Sequence, residues 1–297
     1  MRALSVAVVM CVLAAPARAG DATGAFAPYE DLLEVLAPLA WHLNDDLYRF
    51  PAPRDPTGHD LLQLSLARLE GWEKRFPSSL RDVTTFGRAQ TLERLGEYQR
   101  ATDAYRQVAA TAASPLADAA KDHARRTAGF AEAAALPEDA PDLDAKLTAL
   151  RKKLDAFGKL VEQYAGTPYQ PLALVEEERL ERMTSGLVVE HRRLLDKGNE
   201  TAERALRFLI QKHADSKLLA EHILRLGDLY ADFAREYADT HGRPLAFKED
   251  AFIARADRAL DVYRKVATWD GAREKPEGQA RFAALEAYKT TVLARYR

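Results

Sequence analysis

The side chains in this sequence that could do chemistry are seven scattered histidines and one dense run of carboxylates. A zinc hydrolase places two histidines four residues apart on one helix, so that both rings reach one ion. His42, His59, His123, His191, His213, His222 and His241 are nowhere four apart. His42 and Asp46 share a helical face by spacing, but two ligands make no metal site, and an ion pair or hydrogen bond is the expected role. His213 stands at a helix junction where an aromatic would serve, and it is expected to pack there. Glu176, Glu177, Glu178 and Glu181, interleaved with Arg179 and Arg182, could supply a pair of carboxylates. Acid–base work needs one carboxyl desolvated and the other exposed. Nothing in the sequence singles one out, so the run reads as a solvated helix face laced with ion pairs. No Gly-x-Ser-x-Gly, phosphate loop or dinucleotide fingerprint occurs, so no catalytic residue, cofactor or metal is expected. Asn199-Glu200-Thr201 matches a glycosylation sequon and reads as a chance match.

Cysteine chemistry is confined to one residue, Cys11, inside an N-terminal segment of different character. Arg2 is followed by the apolar stretch Ala3 to Ala15, and Ala17-Arg18-Ala19 puts small residues where a signal peptidase reads. Residues 1–19 therefore read as a signal peptide cleaved after Ala19, with a periplasmic or otherwise extracytoplasmic destination. Met10 precedes Cys11, where a lipoprotein signal wants a small residue, so no lipid anchor is expected. The processed chain would contain no cysteine, and its fold would rest on packing alone. Losing Arg2 and Arg18 takes 43 basic residues to 41 against 45 acidic, a net charge of −4. The signs are interspersed, without the basic stripe that nucleic-acid binding needs. No other segment is apolar enough to span a bilayer.

The elements that must position these residues are helices. Hydrophobic residues make up 47% and charged residues 30%, a soluble globular balance, and the body is rich in Ala, Leu, Arg and Glu. Runs of alternating Val, Ile and Thr are absent after the N-terminus, which argues against a sheet. Residues 20–60 read as a flexible tail (Gly20 to Ala27), a helix over Tyr29 to Leu47 that Pro38 would kink or split, and a proline-rich loop from Phe50 to Gly58. Residues 61–297 read as one periodic helical domain. A junction recurs in it: an amphipathic helix ends, an aromatic or His follows, then a break and a Ser or Thr placed to cap the next helix. Ser79 with Asp82, Thr167-Pro168 and Ser216 mark three such junctions, and Ser114-Pro115 places a proline at a helix start in the same way. Leu143 to Tyr164 reads as a single helix after the connector Pro137 to Pro141. A repeated helix–break–cap–helix unit predicts a solenoid, since each pair buries its apolar face only by stacking on the next.

Ala89, Leu92, Gly96, Tyr98, Ala101, Tyr105 and Val108 follow one another at the spacing of the tetratricopeptide (TPR) repeat, and here the sequence resembles that family. A second, split match joins Leu226, Gly227 and Tyr230 to Ala259, Tyr263 and Val266, with an insertion of about 20 residues near 238–258 that includes the break His241-Gly242-Arg243-Pro244. The insertion reads either as a lengthened helix or as a lid-like loop. The physical reading stands beside the resemblance: small residues let helices approach closely, and an aromatic ring fills the adjacent gap. The fold expected is all-α, a TPR-like helical-repeat solenoid of antiparallel helix pairs. The resemblance implies a concave face lined by Gln90, Glu93 and Arg94 in the first match and by Glu221, Asp228 and Asp232 in the second. The acidic second trio implies a basic or polar partner segment. The junction style is similar to that of periplasmic TPR proteins of envelope machinery, which implies a non-catalytic scaffold or adaptor of the bacterial cell envelope. Its partner would be another envelope protein or peptide segment, and no nucleic acid. The alternative is a subunit or relative of a cell-wall-acting enzyme such as a lytic transglycosylase superhelical domain. The Glu-Ser catalytic pair of that family's separate lysozyme-like domain is absent from this sequence. A third reading is a small-molecule carrier whose pocket is lined by Phe233, Tyr237 and Phe247.

Overall fold

The computed structural model describes residues 28–49, 58–77, 79–242 and 246–296. The expected signal peptide with its cleavage site, the tail 20–27 and all but the end of the proline-rich loop lie outside them. Among the described residues the chain is all α-helical, with no strand and one isolated bridge pair, Arg49 with Ser216. No described helix is long and apolar enough to cross a membrane. The chain divides into two compact units, the first within residues 1–47 and 57–174, the second within 48–56 and 175–297.

The first unit begins with α1 (Pro28–Asn44) and α2 (His59–Arg75). The Trp72 indole N–H donates to the Pro28 carbonyl at 3.2 Å and Arg75 pairs with Asp31 at 2.8 Å, so the C-terminal end of α2 lies beside the start of α1 and the two run antiparallel. The expected split at Pro38 does not occur, and α1 runs through it. A proline removes one helix bond at a cost of roughly 3 kcal/mol, and the buried face Leu32, Val35, Leu36 and Leu39 supplies packing that outweighs it. The helices α3 (Arg81–Arg94) and α4 (Tyr98–Ala109) form the next pair. Gly96 takes φ 77° between them, Glu97 N–H donates to Leu92 at 2.9 Å and Gly96 N–H to Glu93 at 3.2 Å, a left-handed stop that satisfies the last carbonyls of α3. Ala89, Leu92, Tyr98, Ala101 and Tyr105 are all buried, and with Phe86 and Val108 they fill the seam.

The helices α5 (Ala117–Ala134) and α6 (Leu143–Gln163) follow, α6 capped at its start by the Asp142 carboxylate, which accepts from Ala145 N–H at 2.8 Å. Lys153 of α6 is buried and closes the end of α5, donating to the carbonyls of Ala134 (2.6 Å) and Leu136 (2.9 Å) and pairing with Glu138. Residues 170–174 of α7 (Gln170–Glu190) close the unit.

In the second unit come the rest of α7, a 3₁₀ turn (Arg192–Leu194), then α8 (Gly198–Lys212), α9 (Leu219–Thr240), α10 (Glu249–Ala267) and α11 (Lys275–Tyr296). The residues of the expected insertion mostly extend the two arms of one pair, α9 running to Thr240 and α10 starting at Glu249. The two arms meet where Gly227 faces Tyr263. A Cβ on Gly227 would lie 2.5 Å from Tyr263 Cε1, so the close approach exists only because position 227 has no side chain.

The expected Thr167 and Ser216 serve their junctions, and Ser114 does the same, while Pro115 and Pro168 stand two residues ahead of the helices they were expected to open. The hydroxyls of Ser114, Thr167 and Ser216 accept from the N–H two residues on, at 3.2, 3.3 and 3.0 Å, and in each case the regular helix begins one residue later. Ser79 does not. Leu80 occupies the N-cap of α3 in a left-handed conformation (φ 42°) without a side-chain cap, and Asp82 instead accepts the Ser114 hydroxyl at 2.5 Å.

Candidate functional site

The carboxylate run on α7 is not a solvated face. Glu177, Glu178 and Glu181 are buried, each against a base from α8 or α9. Lys212 reaches Glu177 at 2.8 Å and Glu181 at 2.5 Å, His213 Nε2 lies 2.9 Å from Glu181, and His222 Nε2 lies 2.7 Å from Glu178. His213 packs edge-on to Tyr48, as an aromatic at that junction would, and its Nδ1 is 2.6 Å from the Tyr48 hydroxyl. With the Nε2 proton assigned toward Glu181, Nδ1 accepts from Tyr48. Burial and the surrounding glutamates, Glu178 first, push the Tyr48 hydroxyl far up. Burial raises Glu181 as well, but His213 and Lys212 outweigh it and hold the carboxyl below its ordinary value. Glu176, Glu177 and Glu178 are adjacent and Glu181 follows three residues on, so the run met its partners only once α8 and α9 were laid against it. His213 and His222 have no exposed surface. The two rings are closed to solvent, and the network ties α7 to α8 and α9.

The first unit contains a smaller counterpart. Glu93 is buried, and its two oxygens accept from the hydroxyls of Tyr105 (2.9 Å) and Thr127 (2.9 Å). His123 Nδ1 lies 3.6 Å away, too long for a hydrogen bond, and acts through its charge when protonated. Burial raises the Glu93 carboxyl, but His123 and the two hydroxyls prevail and hold it below the usual 4.5. Arg94 beside it donates to the Leu43 carbonyl and is lowered by burial. Gln90 lines a small apolar cavity of about 20 Å³ with Leu36, Leu39, Phe86 and Leu116.

The acidic trio on α9 is likewise engaged. Asp228 accepts the Tyr263 hydroxyl at 2.7 Å and pairs through its other oxygen with Arg281. Burial, then Asp228, push that hydroxyl strongly up. Glu221 pairs with Arg225 at 2.8 Å and lies 3.6 Å from Arg182, and Asp232 pairs with Arg235 at 3.0 Å.

An open groove of about 430 Å³ runs over another face of α9, between α8 and α10. Asp228 and Tyr230 are two residues apart, about 200° around the helix, which is why the trio and the groove diverge. Tyr230, Phe233 and Tyr237 of α9 form its apolar lining; Asn199, Glu200 and Glu203 come from α8, Glu236 and Thr240 from α9, Arg255 and Arg258 from α10. The guanidinium of Arg258 lies 4.0 Å from the Tyr230 ring centre and that of Arg255 4.5 Å from Tyr237, both cation–π contacts. Glu203 accepts from Arg207 (2.8 Å) and the Tyr230 hydroxyl (3.0 Å) and pairs with Arg258; Glu236 pairs with Arg192 and with Arg193 at 2.7 Å. Of the charged residues that line the groove, three are glutamates and two are arginines, and among the described residues Arg255 pairs with no carboxylate, its Nη1 donating to the Ala251 carbonyl at 2.7 Å. Arg255 is thus the lining guanidinium left for the carboxylate of a bound molecule.

Of the residues expected at a binding face, none of Gln90, Glu93, Arg94, Glu221, Asp228 and Asp232 lines this groove. Phe233 and Tyr237, expected in a carrier pocket, do. Phe247 does not; it stacks on Tyr296 with ring centres 4.0 Å apart and packs with Phe252 in the core. The arginines were missed, although Arg255 and Arg258, three apart on one helix, mirror the aromatic spacing on α9. Among the described residues no three His, Asp or Glu converge as metal ligands. Set against models of known protein families and against curated proteins, the sequence matches none.

Proposed function

We propose that the chain is an extracytoplasmic adaptor built on TPR-like repeats, which holds a segment of another cell-envelope protein in the groove between α8, α9 and α10. The single observation that carries this reading is the groove itself, with an aromatic floor, a lining arginine, Arg255, that pairs with no carboxylate among the described residues, and room for two or three side chains. The repeat reading is supported by the Gly96 stop between α3 and α4, by the Gly227–Tyr263 approach between α9 and α10, and by the recurring hydroxyl at Ser114, Thr167 and Ser216. The extracytoplasmic reading rests on the sequence of residues 1–19.

The segment held is acidic beside an apolar or aromatic residue. Its carboxylate meets Arg255 and Arg258, and its apolar group lies on Tyr230, Phe233 and Tyr237. The basic segment that the trio Glu221, Asp228 and Asp232 implied by resemblance is the less favoured partner, because each of these carboxylates already has an arginine of the same chain. Asp232, whose partner Arg235 lies on the same helix, is where a charge reversal probes that surface without breaking a contact between helices.

Pull-down from the envelope fraction, comparing the wild-type protein with Arg255→Glu and Asp232→Lys, tests the proposal. Loss of the captured partner with Arg255→Glu and its retention with Asp232→Lys is the expected pattern. Retention of the same partner by Arg255→Glu at wild-type yield removes the groove as the site.

A further inference from the structure

The helix α1 has two apolar faces, and among the described residues one of them is left uncovered. Leu32, Val35, Leu36 and Leu39 are buried in the first unit. Tyr29, Leu33, Ala37 and Trp41, each four residues from the last, form a second stripe that faces water, with Tyr29 56% and Trp41 74% exposed. Twelve residues of helix make this stripe about 18 Å long. Because α1 and α2 are antiparallel, the exposed Leu61 and Leu64 at the start of α2 lie level with the Trp41 end. A helix that is apolar on both sides is one that packs on both sides, and a large apolar surface left in water marks an interaction site.

The edge of the stripe says what sits there. Glu30 and Glu34 are exposed one residue beyond Tyr29 and Leu33, four apart, and neither forms an ion pair among the described residues. Like charges at this spacing repel each other. Glu30 is favoured by the helix dipole in the first turn, but Glu34 lies beyond the reach of that effect. Two unpaired carboxylates beside an exposed apolar stripe match a helix with apolar residues at i, i+3, i+4 and i+7 and a row of Lys or Arg on one flank. A second copy of α1 offers no such row, since α1 contains no Lys or Arg, and of the bases on α2 Arg75 is already paired with Asp31. An anionic membrane surface would be repelled by the same carboxylates.

We infer that the outer face of α1 is a docking surface for a basic amphipathic helix of a partner protein, separate from the groove of the second unit. Trp41 is the reporter, because Trp72 is fully buried and Trp269 is partly so. The test titrates the full chain with an 18-residue helical peptide of Leu and Lys, follows the tryptophan emission, and measures affinity by the anisotropy of a labelled copy. A Leu/Glu peptide of the same pattern, zwitterionic vesicles and phosphatidylglycerol vesicles serve as alternatives. A blue shift with the Leu/Lys peptide alone is expected. Trp41→Ala should weaken binding about tenfold or more, as removal of a central aromatic anchor does. The double variant Glu30→Lys, Glu34→Lys should lose the Leu/Lys peptide and gain the Leu/Glu peptide, which a fold defect would not produce. Arg255→Glu, in the groove of the second unit, should leave both results unchanged, so this surface and the groove fail independently. Equal binding of the two peptides, indifference to the charge swap, a blue shift that depends only on protein concentration, or a blue shift with vesicles and not with peptide would each overturn the inference.

Discussion

Gly227 and Gly71 are both helical glycines, and the structure gives them opposite consequences. A Cβ at 227 would come within 2.5 and 2.7 Å of the Tyr263 ring, which is buried and tethered through its hydroxyl to Asp228. The overpacking should cost about 1–3 kcal/mol, more than the roughly 1 kcal/mol that alanine gains over glycine in a helix. A Cβ at 71 meets nothing within 4 Å. Urea unfolding should therefore show Gly227→Ala destabilised and Gly71→Ala stabilised by up to about 1 kcal/mol. The buried carboxylates fix the acid limb of stability. Glu93 and Glu181 are held below their ordinary 4.5 in the folded chain, so the unfolded chain takes up their protons first on acidification. Their contribution is complete above that value and is lost as the pH falls through their depressed folded values. Glu93→Gln should flatten the fall in stability below about pH 4.5 relative to wild type, as measured by denaturant midpoints across pH. An unchanged slope would mean that Glu93 gains nothing from Tyr105, Thr127 and His123.

At the level of the element, the junctions have a shared cause. Ser114, Thr167 and Ser216 each accept from a backbone N–H in the turn that leads into a helix, where those groups have no partner within the helix. Thr167→Ala and Ser216→Ala should each cost about 1 kcal/mol, read as a lowered midpoint with an unchanged denaturant slope. Ser79→Ala should be close to neutral, because Ser79 makes no cap on α3. Helix identity and the Gly96 stop were legible from local spacing, since a helix terminus is satisfied by residues within three positions of it; the Asp142 cap appears only in the structure. The continuity of α1 through Pro38 was not legible, because it depends on what its buried face packs against. The extension of α9 and α10 was legible only as a choice between a longer helix and a loop.

For the molecule as a whole, the proposal of export makes a prediction independent of the fold. The protein recovered from the envelope fraction should begin at Gly20, with a mass lower than 33.1 kDa by residues 1–19 and no reaction with thiol reagents. Recovery of the full-length chain, with Cys11 reactive, would contradict it. The two compact units each hold one buried ionic cluster, around Glu93 in the first and around Glu181 in the second. Neither cluster was visible as such in the sequence. The amino-acid order by itself determined that the chain is helical, where most helices stop and start, and where glycine lets two helices meet, because these depend on neighbours a few residues away. Only the tertiary structure decided that Glu177, Glu178 and Glu181 are buried rather than solvated, that Glu93 is a core acceptor, and that Arg255 and Arg258 face the aromatic side of α9. A charged stripe on a helix has the same periodicity whether it meets water or bases. The partners here come from 31 to 44 residues away for the α7 carboxylates, so their fate was set when the helices were packed.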